Sequence, residues 1–401
     1  MRMRFSWILA VVALISTAIL VACSSKYSSS NNGLVVVSTQ ANAVMDTFSL
    51  DLGNGHMTQI FNSAGPPTNG VPTTVVLAPG GANAYVLVTQ SSDLPGSSTG
   101  VQTFTVASDG KLAPVGSVEP VAGVPTAMTI DSAGKFLFVS NGAGEVFVFA
   151  VGSGGALSAA GSATLPLPTG GTAPSASALA VTPTVYPPAY SVCSGNAPPT
   201  TEDLYVTDSV NYLVLNYSVS SAGSLTLMQP SLSQVGYATG NDPSGVAVDP
   251  CNRFVYVANG QPSNSVSAFT ICSKVALPSC PIADYSLLPV SGSPFTAGPG
   301  PIAVAVDPLG LCLYALDQQE NAIRPYKIGT ATGSLTPINP TYSGTNQTPT
   351  SIAIRSDDSW MFVTNLNSTN LSEYAITPSA CTLTTQPPVQ TDSNPWGVAV
   401  R

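Results

Sequence analysis

Pro243-Ser-Gly-Val-Ala-Val-Asp249, then the turn residues Pro250-Cys-Asn-Arg253, then Phe254-Val-Tyr-Val-Ala-Asn259 is the stretch that decides the fold. Two short runs rich in β-branched and aromatic residues, bounded by Pro, Asn and Asp, predict two strands joined by a tight turn. The first run recurs at Pro72-Thr-Thr-Val-Val-Leu77, Pro125-Thr-Ala-Met-Thr-Ile-Asp131, Ser177-Ala-Leu-Ala-Val181, Pro301-Ile-Ala-Val-Ala-Val-Asp307, Pro349-Thr-Ser-Ile-Ala-Ile354 and Pro395-Trp-Gly-Val-Ala-Val400. The second recurs at Ala84–Thr89, Phe136–Asn141, Asp203–Asp208, Cys312–Asp317 and Trp360–Asn365. A third run places an aromatic three residues after an aliphatic, as in Val101 and Phe104 or Val266 and Phe269, and a fourth follows a Gly-containing hairpin such as Ala222-Gly-Ser-Leu225. Four antiparallel strands repeated at intervals of 46 to 67 residues is the arithmetic of a propeller blade.

The first run occurs seven times, but its last copy stands alone at the C-terminus. Near the start, Gly33–Thr39, Val44–Phe48 and His56–Ile60 supply second, third and fourth strands with no first strand before them. The two ends therefore complete one blade between them, which removes the open sheet edges of an unclosed ring. The expectation is an all-β, seven-bladed propeller over residues 33–401, with strands A to D from axis to rim.

Tyr-Val-Thr-Asp208, Tyr-Val-Ala-Asn259 and Phe-Val-Thr-Asn365 resemble the repeat of the YVTN family. With the hairpin Gly333-Ser-Leu-Thr-Pro337, the layout resembles the seven-bladed lactonase-like propellers, a group that includes bacterial 6-phosphogluconolactonases. The resemblance covers the chain beyond its N-terminal segment and implies the fold. For chemistry it implies Arg, His and acidic side chains at the channel mouth, and no catalytic residue of this chain matches that set.

The N-terminus reads as a sorting signal: Arg2 and Arg4, an apolar stretch from Phe5 to Val21, then Ala22-Cys23. Leu20-Val-Ala-Cys23 resembles the lipobox of bacterial lipoproteins. The resemblance implies removal of residues 1–22, lipidation of Cys23 and anchoring to a membrane, with Ser24 favouring the outer membrane or cell surface over the cytoplasmic membrane. Residues 23–32 are too polar to bury a core and read as a flexible tether.

Only 8% of residues are charged, and 20 acids face 11 bases. Without Arg2 and Arg4 nine bases remain, a formal charge of −11, which disfavours nucleic acid and other polyanions. Beyond Cys23 there are six cysteines, an even number that suggests disulfides in an exported chain. Cys272 and Cys280 flank a hairpin and pair most simply. Three connectivities then remain, of which neighbouring blades favour Cys193–Cys251 and Cys312–Cys381. Buried free thiols are the competing reading.

On the blade plan, Asp93, Glu119, Glu145, Asp208, Asp242, Asp317, Glu320 and Asp392 fall on the face built from D-to-A and B-to-C loops, where a propeller opens its channel. Arg324 is the only base nearby. Asp208, Asp317, Glu320, Asp93 and Asp242 are the candidate ligand or cation residues, and oxygen donors of this kind suit Ca²⁺ or Mg²⁺. The competing reading makes Asp208, Asp317 and the equivalent Asn141, Asn259 and Asn365 caps of turns. Gly96-Ser-Ser-Thr-Gly100 matches a hydrolase nucleophile pattern but sits in a loop, and His56, the single histidine, maps to the other side. A phosphorylated substrate would need bases the mouth lacks. Two functions are therefore weighed: a monomeric binding scaffold for a protein, glycan or small molecule, and a divergent lactonase-type hydrolase working through mouth carboxylates.

Overall fold

The computed structural model describes residues 32–60, 65–184, 193, 201–229, 234–272, 286–338 and 343–401. The sorting signal, Cys23 and the tether up to residue 31 lie outside them. Gly33–Arg401 is one compact unit of seven antiparallel sheets, a seven-bladed β-propeller.

Blade 1 is made from both ends of the chain: Pro395–Val400 is its A strand, Asn32–Thr39 its B, Val44–Asp51 its C and Met57–Gln59 its D. The closing pair runs antiparallel, with Val35 opposite Val400 and Val37 opposite Val398. Blades 2 to 7 begin at the A strands Val71–Leu77, Pro125–Ile130, Ala176–Val181, Pro243–Val248, Pro301–Val306 and Pro349–Ile354. In blade 4 the place of the opening proline is taken by Ala176, one residue before the expected start at Ser177. The D strand is also less regular than expected. In blades 4 to 7 it is broken in two, as in blade 5, where Leu287–Pro289 and Phe295–Thr296 both pair with Ser265–Ile271.

The B strands are covered on both faces by neighbouring blades, so their alternation disappears and whole runs are buried. Six blades put an aromatic at the same B-strand position: Tyr85, Phe138, Tyr205, Tyr256, Tyr314 and Phe362, all fully buried. Blade 1 has Val36 there. Truncating one such side chain costs on the order of 3–5 kcal/mol, so these residues supply much of the inter-blade packing.

Every A–B pair carries a register shift near its start, directly after the first residue between Pro243 and Gly245 in blade 5 and between Pro349 and Ser351 in blade 7, and after Pro72, the second residue, in blade 2. A bulged residue is re-aimed out of its own ladder, and here it reaches the next blade. Thr126 donates to Ala176 O (2.6 Å), Ser177 to Pro243 O (2.5 Å), Ser244 to Pro301 O (2.9 Å) and Thr350 to Trp396 O (2.8 Å). Blade 6 has Ile302 at this position, and Gln318 Nε2 takes over by donating to Pro349 O at 3.0 Å. Blade 1 uses Ser38, which donates to Thr73 O.

Two disulfides also cross seams. Cys193 is joined to Cys251 and Cys312 to Cys381, the pairings favoured from the sequence. Cys272 is disulfide-bonded, and its expected partner Cys280 lies outside the described residues.

Candidate functional site

The last residue of each B strand points to the loops of one face, and its side chain sets the local geometry. Asn141 donates to Ala122 O (2.9 Å) and accepts from Ala143 N and Glu145 N. Asp208 Oδ1 accepts from Ser175 N, Val210 N and Asn211 N, and Oδ2 from Asn211 Nδ2 at 2.7 Å. Asn259 donates to Ser265 and Ser267 and accepts from Gly240 N. In each case one buried side chain ties the incoming D-to-A loop to the B-to-C turn. That is capping geometry, and it uses up the polar atoms of Asp208.

Asp317 differs. Its Oδ2 accepts from Arg324 Nε at 2.6 Å, and Arg324 Nη2 reaches on to Glu320. Asp317 is fully buried and its Oδ1 has no hydrogen-bond partner. Burial pushes its carboxyl up to about 7, against the downward pull of Arg324. Glycine at 298 is what permits the pair, since a Cβ there would overlap both Asp317 Oδ2 and Arg324 Nε.

Of the remaining candidates, Asp93, Asp242 and Glu320 are exposed on loops of this face. Asp93 stands in the B-to-C loop of blade 2 and Asp242 directly before the A strand of blade 5. Asp392 accepts from Asn42 Nδ2 at 3.4 Å. The carboxylates are therefore spread around the rim and not gathered. Among the described residues no group of three or more His, Cys, Asp or Glu side chains could hold a metal ion. Neutral amides fill much of the space between: Gln261 Nε2 donates to Gln319 Oε1 (2.6 Å) and Asn211 Nδ2 to Thr172 O (3.0 Å).

Gly96–Thr99 lies in the B-to-C loop of blade 2 and Gly100 opens the C strand, with no helix after it, and His56 is exposed in a C-to-D hairpin on the opposite side. Serine-nucleophile chemistry has no geometry to work with here.

Sequence reasoning passed over two kinds of residue. Val124, Leu167, Val210 and Tyr212 are large, apolar and exposed, all on D-to-A or B-to-C loops of blades 3 and 4. Asp46 and Glu373 are buried acids inside C strands, pushed up by burial to about 6 and about 7. The alternation of their strands gave no warning, because both faces of a C strand are covered.

The family model described as "Lactonase, 7-bladed beta-propeller" matches residues 29–180 and 281–396. No curated relative matches the chain. Among solved structures, a candidate 6-phosphogluconolactonase from Bacteroides fragilis is similar at 17% identity and TM-score 0.71, over 93% of this chain and 99% of that one. The periplasmic gluconolactonase PpgL of Pseudomonas aeruginosa is similar at 15% identity and TM-score 0.70, over 92% of this chain and 99% of that one.

Proposed function

Since the chain belongs to the seven-bladed lactonase propeller family, we propose that it keeps the family's ring but serves as an exported, lipid-anchored binding scaffold whose loop face engages a basic protein segment. The observation that carries this is the state of Arg324. It is the one base on the loop face among the described residues, and it is held between Asp317 and Glu320. A phosphorylated sugar lactone would meet a rim of carboxylates with no base to receive its phosphate. A basic segment would meet Asp93, Asp242 and Glu119, with the apolar Val124, Leu167, Val210 and Tyr212 beside them as dry contact area.

The second reading is a lactonase-type hydrolase acting on an uncharged lactone, with Asp317 as general base. Its similarity to a gluconolactonase and the raised carboxyl of Asp317 favour it. It ranks second because Asp317 is fully buried, so a water or substrate could not reach it without movement of the Gly298 loop.

An oligolysine peptide followed by fluorescence anisotropy tests the first reading. Binding is expected, weakening steeply from 50 to 300 mM salt and weakening again in Asp93→Asn/Asp242→Asn. In parallel, hydrolysis of 6-phosphogluconolactone and glucono-δ-lactone should not exceed the spontaneous rate. Salt-independent binding or none would sink the scaffold reading. A kcat/KM of about 10⁴ M⁻¹s⁻¹ or more would establish the hydrolase instead.

The anchor is proposed on Leu20–Cys23, and the seam-crossing disulfides support an oxidising, extracytoplasmic location. Among the described residues no helix is long and apolar enough to cross a membrane. Mass spectrometry of the mature protein is expected to find acyl chains on Cys23. An unmodified Cys23 would overturn the anchor.

A further inference from the structure

On the face opposite the mouth, the A-to-B turns place a buried Asp at the same point in blades 3, 5 and 6. The seams dispose of that charge differently. In blade 5, Asp249 is answered four residues later by Arg253, with Nη2 to Oδ1 at 2.7 Å and Nε to Oδ2 at 2.9 Å. Arg253 Nη2 also donates to Gly310 O of blade 6 at 3.2 Å. A Cβ on Gly310 would lie 2.7 Å from Asp249 Oδ1 and 2.8 Å from Arg253 Nη2. A guanidinium thus fills the seam where glycine leaves room. In blade 3, Lys135 stands four residues after Asp131 and donates to Ser221 O of blade 4.

The seam between blades 6 and 7 reverses both choices. Four residues after Asp307 comes Leu311, which is apolar, and the turn position held by Gly310 in blade 6 is held in blade 7 by Asp358, at φ 59°. Relative to the preceding seam, a positive charge has gone and a negative one has arrived. Asp307 and Asp358 are 0% and 1% exposed and within hydrogen-bonding reach of each other. Asp307 Oδ1 accepts from Leu311 N and Cys312 N. Apart from each other, Asp307 Oδ2 and both carboxylate oxygens of Asp358 have no hydrogen-bond partner, and neither has the hydroxyl of fully buried Tyr314. Tyr314 lies in the field of both acids.

The other nearby charges do not help. Arg355 donates from Nε to Arg401 O at 3.3 Å and pairs through Nη1 with Asp357, away from this seam. The Cys312–Cys381 bridge ties blades 6 and 7 together beside the two acids, so the seam is not free to open. Three buried carboxylate oxygens that receive no hydrogen bond, with a buried hydroxyl in the same seam, call for a cation.

We propose that the seam between blades 6 and 7 binds a divalent, oxygen-seeking cation, calcium foremost, through Asp307 Oδ2, the Asp358 carboxylate and the Tyr314 hydroxyl, with water completing its shell. The donor set is all oxygen, which selects calcium or magnesium over softer metals. Two carboxylates are few, which places the affinity in the range of extracellular modules, about 10⁻⁴–10⁻³ M. The cation would do for blades 6 and 7 what Arg253 does for blades 5 and 6.

Thermal unfolding of the detergent-solubilised mature protein at pH 8 tests this, together with tyrosine-sensitised terbium luminescence. Calcium at 5 mM is expected to raise Tm by about 1–3 °C over EDTA, and bound terbium should be sensitised by Tyr314 and displaced by calcium. Asp358→Asn should lose both effects, and Asp93→Asn neither. The pair Leu311→Arg/Asp358→Gly recreates the preceding seam and should melt in EDTA as high as the wild type does in calcium, with no further gain. Coincident wild-type melts in EDTA and calcium would overturn the proposal, leaving a proton shared by the two acids. A calcium gain or terbium signal that survives in Asp358→Asn or in the double variant would overturn it too.

Discussion

Deleting Pro395–Arg401 is expected to leave a chain that does not fold, although the deletion removes only the final segment and leaves every other blade complete. The strand contributes to two cores. Ala399 packs with Val75 and Val86 of blade 2, and Val398 with Val35, Val37 and Phe362 of blades 1 and 7. Losing those contacts and the ladder to Asn32–Thr39 sacrifices on the order of 10 kcal/mol, from about 1.5–3 kcal/mol per buried aliphatic side chain plus stranded backbone groups. That is comparable to the whole stability of a domain, about 5–15 kcal/mol. It also leaves Asn32–Thr39 as an exposed apolar edge. Soluble yield and far-UV circular dichroism would report the loss. The complement is a permutant in which residues 395–401 precede residue 33 through an A-to-B turn copied from another blade. Leu34 and Arg401 already exchange backbone hydrogen bonds at 3.2 and 3.0 Å, so the join needs only a short turn, and the permutant should fold. A truncated protein with native circular dichroism and melting would show that closure is topological and not energetic.

The closure was legible because it follows from counting strands, and counting survives without coordinates. The B-strand phrases were legible for the same reason: burial on both faces leaves an uninterrupted apolar run ending in Asn or Asp. What stayed hidden depends on which residues meet across a seam. Thr126, Ser177, Ser244 and Thr350 all follow the first residue of an A strand, but only the bulge turns their hydroxyls toward the next blade. Gln318 taking over where Ile302 stands could not be read from either residue alone. Asp358 looks like any turn aspartate until Gly310, its counterpart one blade earlier, is seen to face Asp249. The site was less legible than the fold because repeated residues announce themselves and seam partners some 50 residues apart do not.

Arg324→Ala is expected to show the same seam logic on the loop face, with a pH signature. Removing the guanidinium leaves Asp317 buried with no partner for Oδ2 and releases Glu320 to solvent. Breaking one side of a buried pair is costly until the stranded carboxyl takes up a proton, and with Asp317 already pushed up to about 7 this limits the loss at pH 8 to about 1.4 kcal/mol, still more than the exposed Lys111–Asp109 pair contributes. The carboxyl of Asp317 already stands above its unfolded value because of burial, and Arg324 opposes that rise. Without Arg324 it must rise further. A carboxyl whose folded pKa lies above its unfolded one binds more protons in the folded state, so its contribution is fully present below pH 4 and is lost as pH climbs through the folded pKa. The variant should therefore melt close to the wild type at pH 5 and about 2 °C below it at pH 8. Arg324→Ala/Asp317→Asn should recover most of the pH 8 loss, because the neutral amide removes the stranded charge. A deficit equal at both pH values would mean that Arg324 acts through packing of its stem against the Gly298 loop, and that the ion pair is not what holds the mouth in place.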